Sequence, residues 1–401
     1  MTTTTAKSKV LPPPTERYSL LGWLHKNLFS TWYNALLTLF AAWLTYAMLK
    51  PTLTWIFGEA RWDVISANLK LFMIGRYPIE QEWRVWAALF LLTWVIGLSW
   101  GSWVKKFELS GLVLLLIPVF MALLPFSMDD RLKILGLSVF SLIGYVIAKS
   151  QPATFSKVSI FAWLLYFPVG LLIIRGLTGD EGFFPVVDTQ LWGGLMLTVL
   201  LSVLGIMFSF PIGVSLALGR QSKLPIISWI SIGFIETIRG VPLITILFMM
   251  DLMLPLFLPS EIRIESIIRA LVGITFFSAA YMAENVRGGL QSIPRGQHEA
   301  SHALGLSGFQ TMAFIIMPQA LRAVIPILVS QFIGLLKDTT LVMILSLFDI
   351  LGIGKAVLGN PDYIGTSREV YLFIAAVFWI LSYGMSYASQ RLETALGLGE
   401  R

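Results

Sequence analysis

The sequence lacks cysteine altogether and has little charge. None of its 401 residues is cysteine, which excludes disulfides, cysteine-ligated zinc and thiol nucleophiles. Charged residues make up 13% of the chain, whereas soluble domains carry roughly 25%. Hydrophobic residues make up 56%, in runs of about 20 with almost no charge, as a bilayer requires of spanning helices. The composition therefore excludes an ordinary soluble domain and predicts a membrane protein.

The sequence also lacks any dense basic stripe interleaved with aromatic residues. Its net charge of +6 comes from Lys and Arg scattered at the ends of apolar runs, and it contains fourteen Trp. Both features are typical of side chains that anchor helices at the membrane surface. Residues 1–29 are polar and show no charged, apolar and cleavable pattern, so we expect no signal peptide. Nucleic-acid binding is not expected.

The apolar runs predict an all-α integral membrane protein with about ten transmembrane helices. The first half contributes five, of which the fourth is the weakest: 31–49, 85–104, 110–126, 132–148 and 158–174. The second half contributes another five: 192–218, 226–254, 267–283, 325–348 and 370–387. The stretch 50–84 is too hydrophilic to span and has an interfacial character.

The sequence pattern differs on the two sides of 177–191, so we place the domain boundary there. The basic residues weakly favour a cytoplasmic location for both termini. The predicted organisation is a cytoplasmic segment 1–30, a transmembrane extension 31–176, an extracytoplasmic linker 177–191, a five-helix core 192–390 and a cytoplasmic tail 391–401.

One polar interval of the core predicts two short helices joined at a glycine, outside the membrane between two spans. Ser292 is suited to cap the first helix, and Gly305 to end it. Ser307 and Gln310 have the spacing of a capping box for the second helix, which would end at Met317-Pro318. Such helices could dock into a partner protein, or could lie on the lipid headgroups; composition alone favours neither.

The residues of this interval decide between the two. Glu299-Ala300-Ser301, Gly305 and Ile316-Met317-Pro318 resemble the EAA loop of type I ATP-binding-cassette (ABC) importer permeases, with Ser301 in place of the usual second alanine. The resemblance implies that 287–324 is a cytoplasmic loop that docks into an ATPase subunit. It implies coupling roles for Glu299, Ala300, Gly305 and Pro318.

Four further motifs narrow the resemblance to permeases for polar amino acids, over about residues 190–390. They are Trp192-Gly193-Gly194-Leu195, Glu236-x-x-Arg239-Gly240-x-Pro242-Leu243, Tyr281-x-Ala283-Glu284-x-x-Arg287-Gly288-Gly289 and Leu336-Lys337-Asp338-Thr339-Thr340-Leu341. The long front half resembles the extended permeases of general amino-acid importers.

The resemblance implies a multi-pass permease subunit in a bacterial inner membrane that moves amino acids. Its implied partners are cytoplasmic ABC ATPase subunits, a second permease in a heterodimer and an extracytoplasmic solute-binding protein. The chain itself lacks the Gly-x-x-x-x-Gly-Lys-Ser/Thr loop that cradles ATP, so we expect a separate subunit to hydrolyse ATP. We expect neither enzymatic activity nor a cofactor.

Charged groups inside apolar segments are costly, on the order of 3 kcal/mol each, and need a reason. One interpretation is that they line or gate the pathway; the alternative is that they form structural ion pairs or lie at wet helix ends. The break predicted at Arg239-Gly-Val-Pro242 is typical of helices that border a substrate path. The pathway or gate candidates are Glu236, Arg239, Glu284, Arg287, Lys337, Asp338 and Thr339.

Two other classes of function compete with this interpretation. An ion-coupled secondary amino-acid transporter should show inverted internal repeats, and the two halves show no such duplication. A membrane-embedded enzyme is suggested by His298-Glu-Ala-Ser-His302, which matches the H-E-x-x-H pattern of zinc proteases. That helix is brief and no further ligand is evident, so we predict no metal site.

Overall fold

A computed structural model describes residues 20–104, 109–177, 179, 184–259 and 261–397. These residues form helices and, instead of strands, only isolated bridges. Their contacts divide the chain into two units, Met1–Arg61 and Trp62–Arg401. Most of the predicted cytoplasmic segment, residues 178 and 180–183 of the predicted linker and the end of the predicted tail lie outside the described residues.

The first unit contains α1 (Leu20–Leu28) and α2 (Trp32–Thr54), which a π-helical turn extends to Glu59. Thr31 begins α2 by accepting a hydrogen bond from the Asn34 backbone N–H, and Thr38 donates its hydroxyl hydrogen to the Leu28 carbonyl. The most apolar stretch of α2 has no buried residue within the structure. Because a helix satisfies its own backbone, α2 can present all its sides to lipid.

The second unit holds the remaining helices. They are α3 (Asp63–Ile74), α4 (Trp83–Trp103), α5 (Leu109–Met121), α6 (Met128–Ser150), α7 (Pro152–Arg175), α8 (Gly194–Arg220), α9 (Pro225–Arg239), α10 (Leu243–Phe248), α11 (Leu254–Phe257), α12 (Ser266–Gln291), α13 (Arg295–Ala303), α14 (Gly308–Gln310), α15 (Met317–Asp338), α16 (Ile350–Leu358) and α17 (Ser367–Ala395).

Within the described residues, eight helices are long and apolar enough to cross a membrane, or nine if one bent pair counts as a single span. The all-helical membrane fold is thereby confirmed, and with the bent pair counted as one span, nine of the ten predicted runs are found among the described residues. The difference is the run 110–126, where α5 has only 13 residues and contains Pro118. A crossing needs about 20 residues, so the described part of α5 does not count as a span.

Three of the spans, α4, α6 and α7, pack together through small residues. A Cβ atom on Gly97 of α4 would lie 2.0 Å from the Ser141 carbonyl oxygen of α6, and one on Gly101 would lie 2.4 Å from that of Tyr145. Gly144 of α6 faces the α4 backbone in the same way. Glycines at four-residue spacing let membrane helices approach closely without a hydrophobic driving force. We call residues 76–191, which contain these helices, the three-span segment.

The two ends of the three-span segment meet. Gly75, just before it, forms an antiparallel bridge with Trp192, just after it. A Cβ atom on Gly75 would lie 2.4 Å from the Gly193 Cα, and the φ angle of Gly75 is +67°, so glycine is required there. The chain therefore leaves the core after α3 and returns beside the same residue at the start of α8.

The helix α3 belongs with the core, although it precedes the three-span segment. Its buried residues Val64, Leu69 and Phe72 pack with Ile353 of α16 and Val370 of α17. The sequence pattern suggested only an interfacial stretch at 50–84. The predicted boundary in 177–191 stays a prediction, and this packing adds α3 to the core side of it.

The core contains α8, the bent pair α9–α10, α12, α15 and α17, which account for its five predicted spans. The bent pair turns by 106° at the break predicted around Gly240. Helix α8 packs along α12, where Met282, Ala283 and Val286 of α12 share a cluster with Ala217 of α8. Helix α15 closes the same cluster with Ala320 and other residues.

The short helix α16 is fixed between α3 and α8 by a fully buried cap. The Asp349 carboxylate accepts hydrogen bonds from the backbone N–H groups of Leu351 and Gly352, and Thr198 of α8 accepts one from Ile350. Burial raises the pKa of Asp349 from 3.8 to about 6, against the lowering effect of those bonds and of Lys355. The cap therefore contains a carboxylate that is poorly solvated.

Candidate functional site

The predicted coupling helix is present as α13, and it displays the predicted residues. Glu299 and Ala300 are exposed, while Ser301, which stands where the family usually has alanine, is 2% exposed and donates its hydroxyl hydrogen to the His298 carbonyl. The helix ends as predicted at Gly305, whose φ angle is +77°. A small residue is needed at 301 because that position faces the protein.

The start of α13 differs from the prediction. Ser292 completes α12, which extends to Gln291, and donates its hydroxyl hydrogen to the Gly289 carbonyl. Pro294 is the capping position of α13 and makes no side-chain hydrogen bond. The prediction of Ser292 as a cap was wrong because α12 continues beyond its apolar residues, and the Ser292 hydroxyl bonds to a carbonyl of α12. Arg287 consequently lies within α12 and not in a loop.

The second predicted short helix is the beginning of a long one. Its predicted capping box is confirmed: Ser307 and Gln310 each bond the other's backbone N–H. The helix does not end at Pro318, however, because a π-helical turn over Thr311–Ile316 precedes α15, and Pro318 lies in the first turn of α15. A widened turn accommodates a proline, whose missing N–H would break an ordinary helix.

A network of ion pairs joins the ends of three helices next to α13. Arg220 of α8 contacts Glu236 of α9 at 2.8 Å and Glu284 of α12 at 3.4 Å. Arg239 of α9 contacts Glu284 at 3.6 Å, and Arg287 pairs with the same carboxylate. Glu284 is 22% exposed and is shared by all three guanidinium groups. We call these five residues the charge network.

The structure thus unites four of the seven pathway candidates in one network of ion pairs. Glu284 and Arg287 pair along one helix face, as expected for residues three apart. Glu236 and Arg239, which are also three residues apart, instead bind partners on other helices. Sequence reasoning missed Arg220, although its place at the end of an apolar run next to a loop was the available signal.

A cavity of about 190 Å³ lies between α12 and α15. Phe277, Ser278 and Tyr281 of α12 line it, together with Gln331 and Asp338 of α15 and their neighbours. Asp338 is the charged residue in this lining. The cavity therefore combines aromatic faces with a carboxylate, as ligand sites of small polar molecules do.

Hydrogen bonds hold the polar wall of the cavity in place. Gln331 donates its amide hydrogens to the Ser278 carbonyl at 2.8 Å and to the Ser278 hydroxyl at 3.1 Å. Asn285 donates to the Gln331 side-chain oxygen at 2.7 Å. The Arg239 guanidinium lies over the Tyr281 ring, with 5.5 Å between Arg239 Cζ and the ring centroid. Tyr281 therefore connects the cavity with the charge network.

The remaining pathway candidates, Lys337, Asp338 and Thr339, lie in three different environments. Lys337 is exposed and does not line the cavity. Thr339 is fully buried and donates its hydroxyl hydrogen to the Leu336 carbonyl, which is a local helix-end role. Only Asp338 of these three neighbours faces the space between α12 and α15.

The two histidines of the H-E-x-x-H pattern lie on α13. Among the described residues, no group of three or more His, Cys, Asp or Glu side chains is close enough to hold a metal ion. The geometry at His298 and His302 therefore offers no additional protein ligand that would complete a zinc site.

Comparison with known proteins identifies the family. The profile of binding-protein-dependent transport system inner membrane components matches residues 209–396. The inner membrane amino-acid ABC transporter permease protein YhdY of Escherichia coli is 39% identical over 94% of this chain and 93% of that protein. The chain belongs to this family of inner membrane transport components.

A second relative also covers nearly the whole chain. The glutamate/glutamine/aspartate/asparagine transport system permease protein BztC of Rhodobacter capsulatus is 35% identical over 96% of this chain and 95% of that protein. Among solved structures, the crystal structure of an amino acid ABC transporter with histidines is 27% identical over 50% of this chain and 92% of that chain, with a TM-score of 0.46.

Membership confirms several predictions at once. The protein is a multi-pass permease subunit of an ABC transporter in the inner membrane, and ATP hydrolysis belongs to a separate subunit of such a transporter. The relatives match the three-span segment as well as the core, since they cover nearly the whole chain. The alternative of an ion-coupled secondary transporter is not supported.

Proposed function

We propose that this permease imports amino acids, and that α13 couples it to cytoplasmic ATPase subunits. The relatives over the full length of the chain are named as permeases for amino acids, among them glutamate, glutamine, aspartate and asparagine. The cavity suits such a cargo because the Asp338 carboxylate can pair with the α-ammonium group that every amino acid carries.

The observation that carries the coupling role is the exposure of α13. Glu299 and Ala300 lie on its free surface, and Leu304 and Phe309 on either side of Gly305 are 80% and 79% exposed. Large exposed apolar residues next to a charge are typical of a protein-binding surface. A rigid helix seated in an ATPase would transmit that subunit's movement to α12 and α15, between which it stands.

The helix α13 is connected to α15 and braced at its own end in ways that suit transmission. Gln319 of α15 donates a side-chain hydrogen to Gln297 of α13 at 3.3 Å. The Leu306 backbone N–H bonds the Ser301 carbonyl at 3.1 Å, which closes the turn at Gly305. Movement of α13 would therefore shift the start of α15 and the charge network at the end of α12. Pro318 would keep open the π-helical turn that precedes α15.

The complete transporter in this proposal has two permease subunits, two ATPase subunits and an extracytoplasmic solute-binding protein. The second permease would be a different chain, as the resemblance to importers of this type implies. Purification of this permease from its native membrane, followed by mass spectrometry of the intact complex, tests the composition. Two copies of this same chain in that complex would contradict the heterodimer.

Substitutions in α13 test the coupling. Glu299→Lys and Gly305→Asp should abolish ATP-driven uptake into proteoliposomes while membrane insertion stays normal. The first reverses a charge on the docking surface, and the second strains a left-handed residue. Glu80→Lys provides a matched control, because Glu80 is an exposed glutamate in the three-span segment. Uptake at the wild-type rate in both α13 variants would disprove the coupling role.

A further inference from the structure

One ion pair joins the three-span segment to the start of α12. The Nη2 atom of Arg175, the last residue of α7, lies 2.6 Å from the Oε1 atom of Glu265, which begins α12. Thr189, on the returning chain, donates its hydroxyl hydrogen to the other carboxylate oxygen at 3.0 Å. Both oxygens of Glu265 are therefore bound by groups of the three-span segment.

Hydrogen bonds and a close backbone contact hold the end of α7 around Arg175. The Arg175 carbonyl accepts a hydrogen bond from the Val187 backbone N–H at 2.7 Å, and the preceding carbonyl of Ile174 accepts one from the Tyr77 hydroxyl at 2.7 Å. Gly176 has a φ angle of +91°, and a Cβ atom there would lie 2.3 Å from the Pro185 carbonyl oxygen. These contacts fix the end of α7, from which the Arg175 side chain extends to Glu265.

The other partner begins the helix that carries the transport machinery. Helix α12 is 26 residues long, or about 39 Å at 1.5 Å per residue. It contributes Tyr281 to the cavity and Glu284 to the charge network, and α13 follows its far end. A constraint at Glu265 therefore acts on the same rigid element that α13 moves.

We propose that the Arg175–Glu265 pair is a positioning contact by which the three-span segment holds the start of α12 while the opposite end of the helix moves. In this proposal, α7 stays in place and α12 pivots on the contact. The contact turns movement of α13 into a tilt of α12 about Glu265, which changes the cavity between α12 and α15. This inference rests on the proposed coupling of α13 to the ATPases.

Charge reversal in the complete transporter tests the proposal. Arg175→Glu and Glu265→Arg should each lower the amount of amino acid imported per ATP hydrolysed by about three- to fivefold, since a partly exposed pair is replaced by a repulsion. The double variant, with both charges exchanged, should restore the wild-type ratio. A merely structural pair would lower the yield of complex and leave this ratio unchanged.

Lys133→Glu is the matched control. Lys133 pairs with Asp129 one turn away on α6, so this substitution disrupts an ion pair of the three-span segment that does not involve α12. The import per ATP should stay at the wild-type value. A loss equal to that of Glu265→Arg, or a double exchange that fails to recover, would overturn the proposal.

The absence of native cysteine permits a second measurement. The Arg175→Cys/Glu265→Cys variant should show the lowered ratio, and a flexible crosslinker between the two thiols should raise it again. Crosslinking that stops uptake would show that the contact has to open, and would overturn the proposal. If Glu299→Lys abolishes uptake but the Glu265 variants behave as wild type, the positioning role alone fails and the coupling role stands.

Discussion

The three-span segment and the core share close glycine contacts between helices, as at Gly289 of α12 against the Ala320 backbone of α15, but differ in the polar contacts that accompany them. In the segment, glycines bring α4 against the backbone of α6, and serines join α4 to α7, as in the 3.2 Å contact between the hydroxyls of Ser102 and Ser159. In the core, charged and amide side chains also bridge the helices, and a cavity lies between part of α12 and α15.

The difference concerns how many arrangements each region can adopt. Backbone contact through Gly97 leaves one close approach, because any separation opens a gap that nothing fills. Three arginines around Glu284 can exchange partners with little loss, since each retains a carboxylate within reach. In the proposed mechanism, the segment would be the part that stays in place, and the charge network would let the core rearrange.

The largest expected effect concerns the buried carboxylate of the core. In the folded protein the pKa of Asp349 is about 6, above its ordinary 3.8, so between these pH values the folded state holds a proton that the unfolded state has lost. Stability should therefore fall as pH rises from about 4 to 6, on the order of 3 kcal/mol. Thermal unfolding of the solubilised protein across this range measures it.

Asp349→Asn is the control for that pH dependence. Asparagine can still accept the backbone hydrogen bonds of the cap but does not titrate. The difference in stability between wild type and variant should vanish near pH 4 and favour the variant at pH 7. A difference that is independent of pH would contradict the buried, ionisable cap.

The next effect sharpens the contrast in packing. Gly97→Ala should lower the free energy of unfolding by roughly 1–3 kcal/mol, because its Cβ atom meets a backbone oxygen that cannot move aside. Gly205→Ala makes the same change in the core, where the nearest neighbours are side-chain methyl groups at 3.1 Å or more. It should be nearly neutral, and equal melting temperatures for the two variants would dispute the contrast.

The third effect breaks the core's own mode of contact. Glu284→Gln keeps the size of the side chain but removes the charge that three arginines share, so uptake per complex should fall about tenfold, equivalent to about 1.4 kcal/mol. The partial exposure of these groups keeps the effect modest. Asp129→Asn, which weakens a local pair in the three-span segment, should leave uptake unchanged. The measurement is initial uptake normalised to purified complex.

The sequence predicted two local features of the site, because short motifs determine them, and was wrong on two others, the cap of α13 and the helix end at Pro318. The capping box at Ser307 and the helix end at Gly305 follow from a few neighbouring residues. The association of Arg220 with Glu236, and of Gly75 with Trp192, depends on which helices become neighbours in space. No periodicity within one segment contains that information, and for this reason the charge network and the return of the chain were missed.

The smallest expected effect concerns the cavity, where adjacent residues have different roles. Asp338→Asn should weaken binding of an amino acid to the purified permease–ATPase complex about fivefold, because the ammonium group loses its carboxylate partner. Lys337→Gln removes a charge from the neighbouring, exposed position and should leave the Kd unchanged. The binding of each radiolabelled L-amino acid is measured separately and without the solute-binding protein. This separates recognition in the cavity from delivery of the amino acid by that protein. Equal losses in both variants would mean that substitution at either position disturbs the helix end, and that Asp338 does not pair with the ammonium group in the cavity.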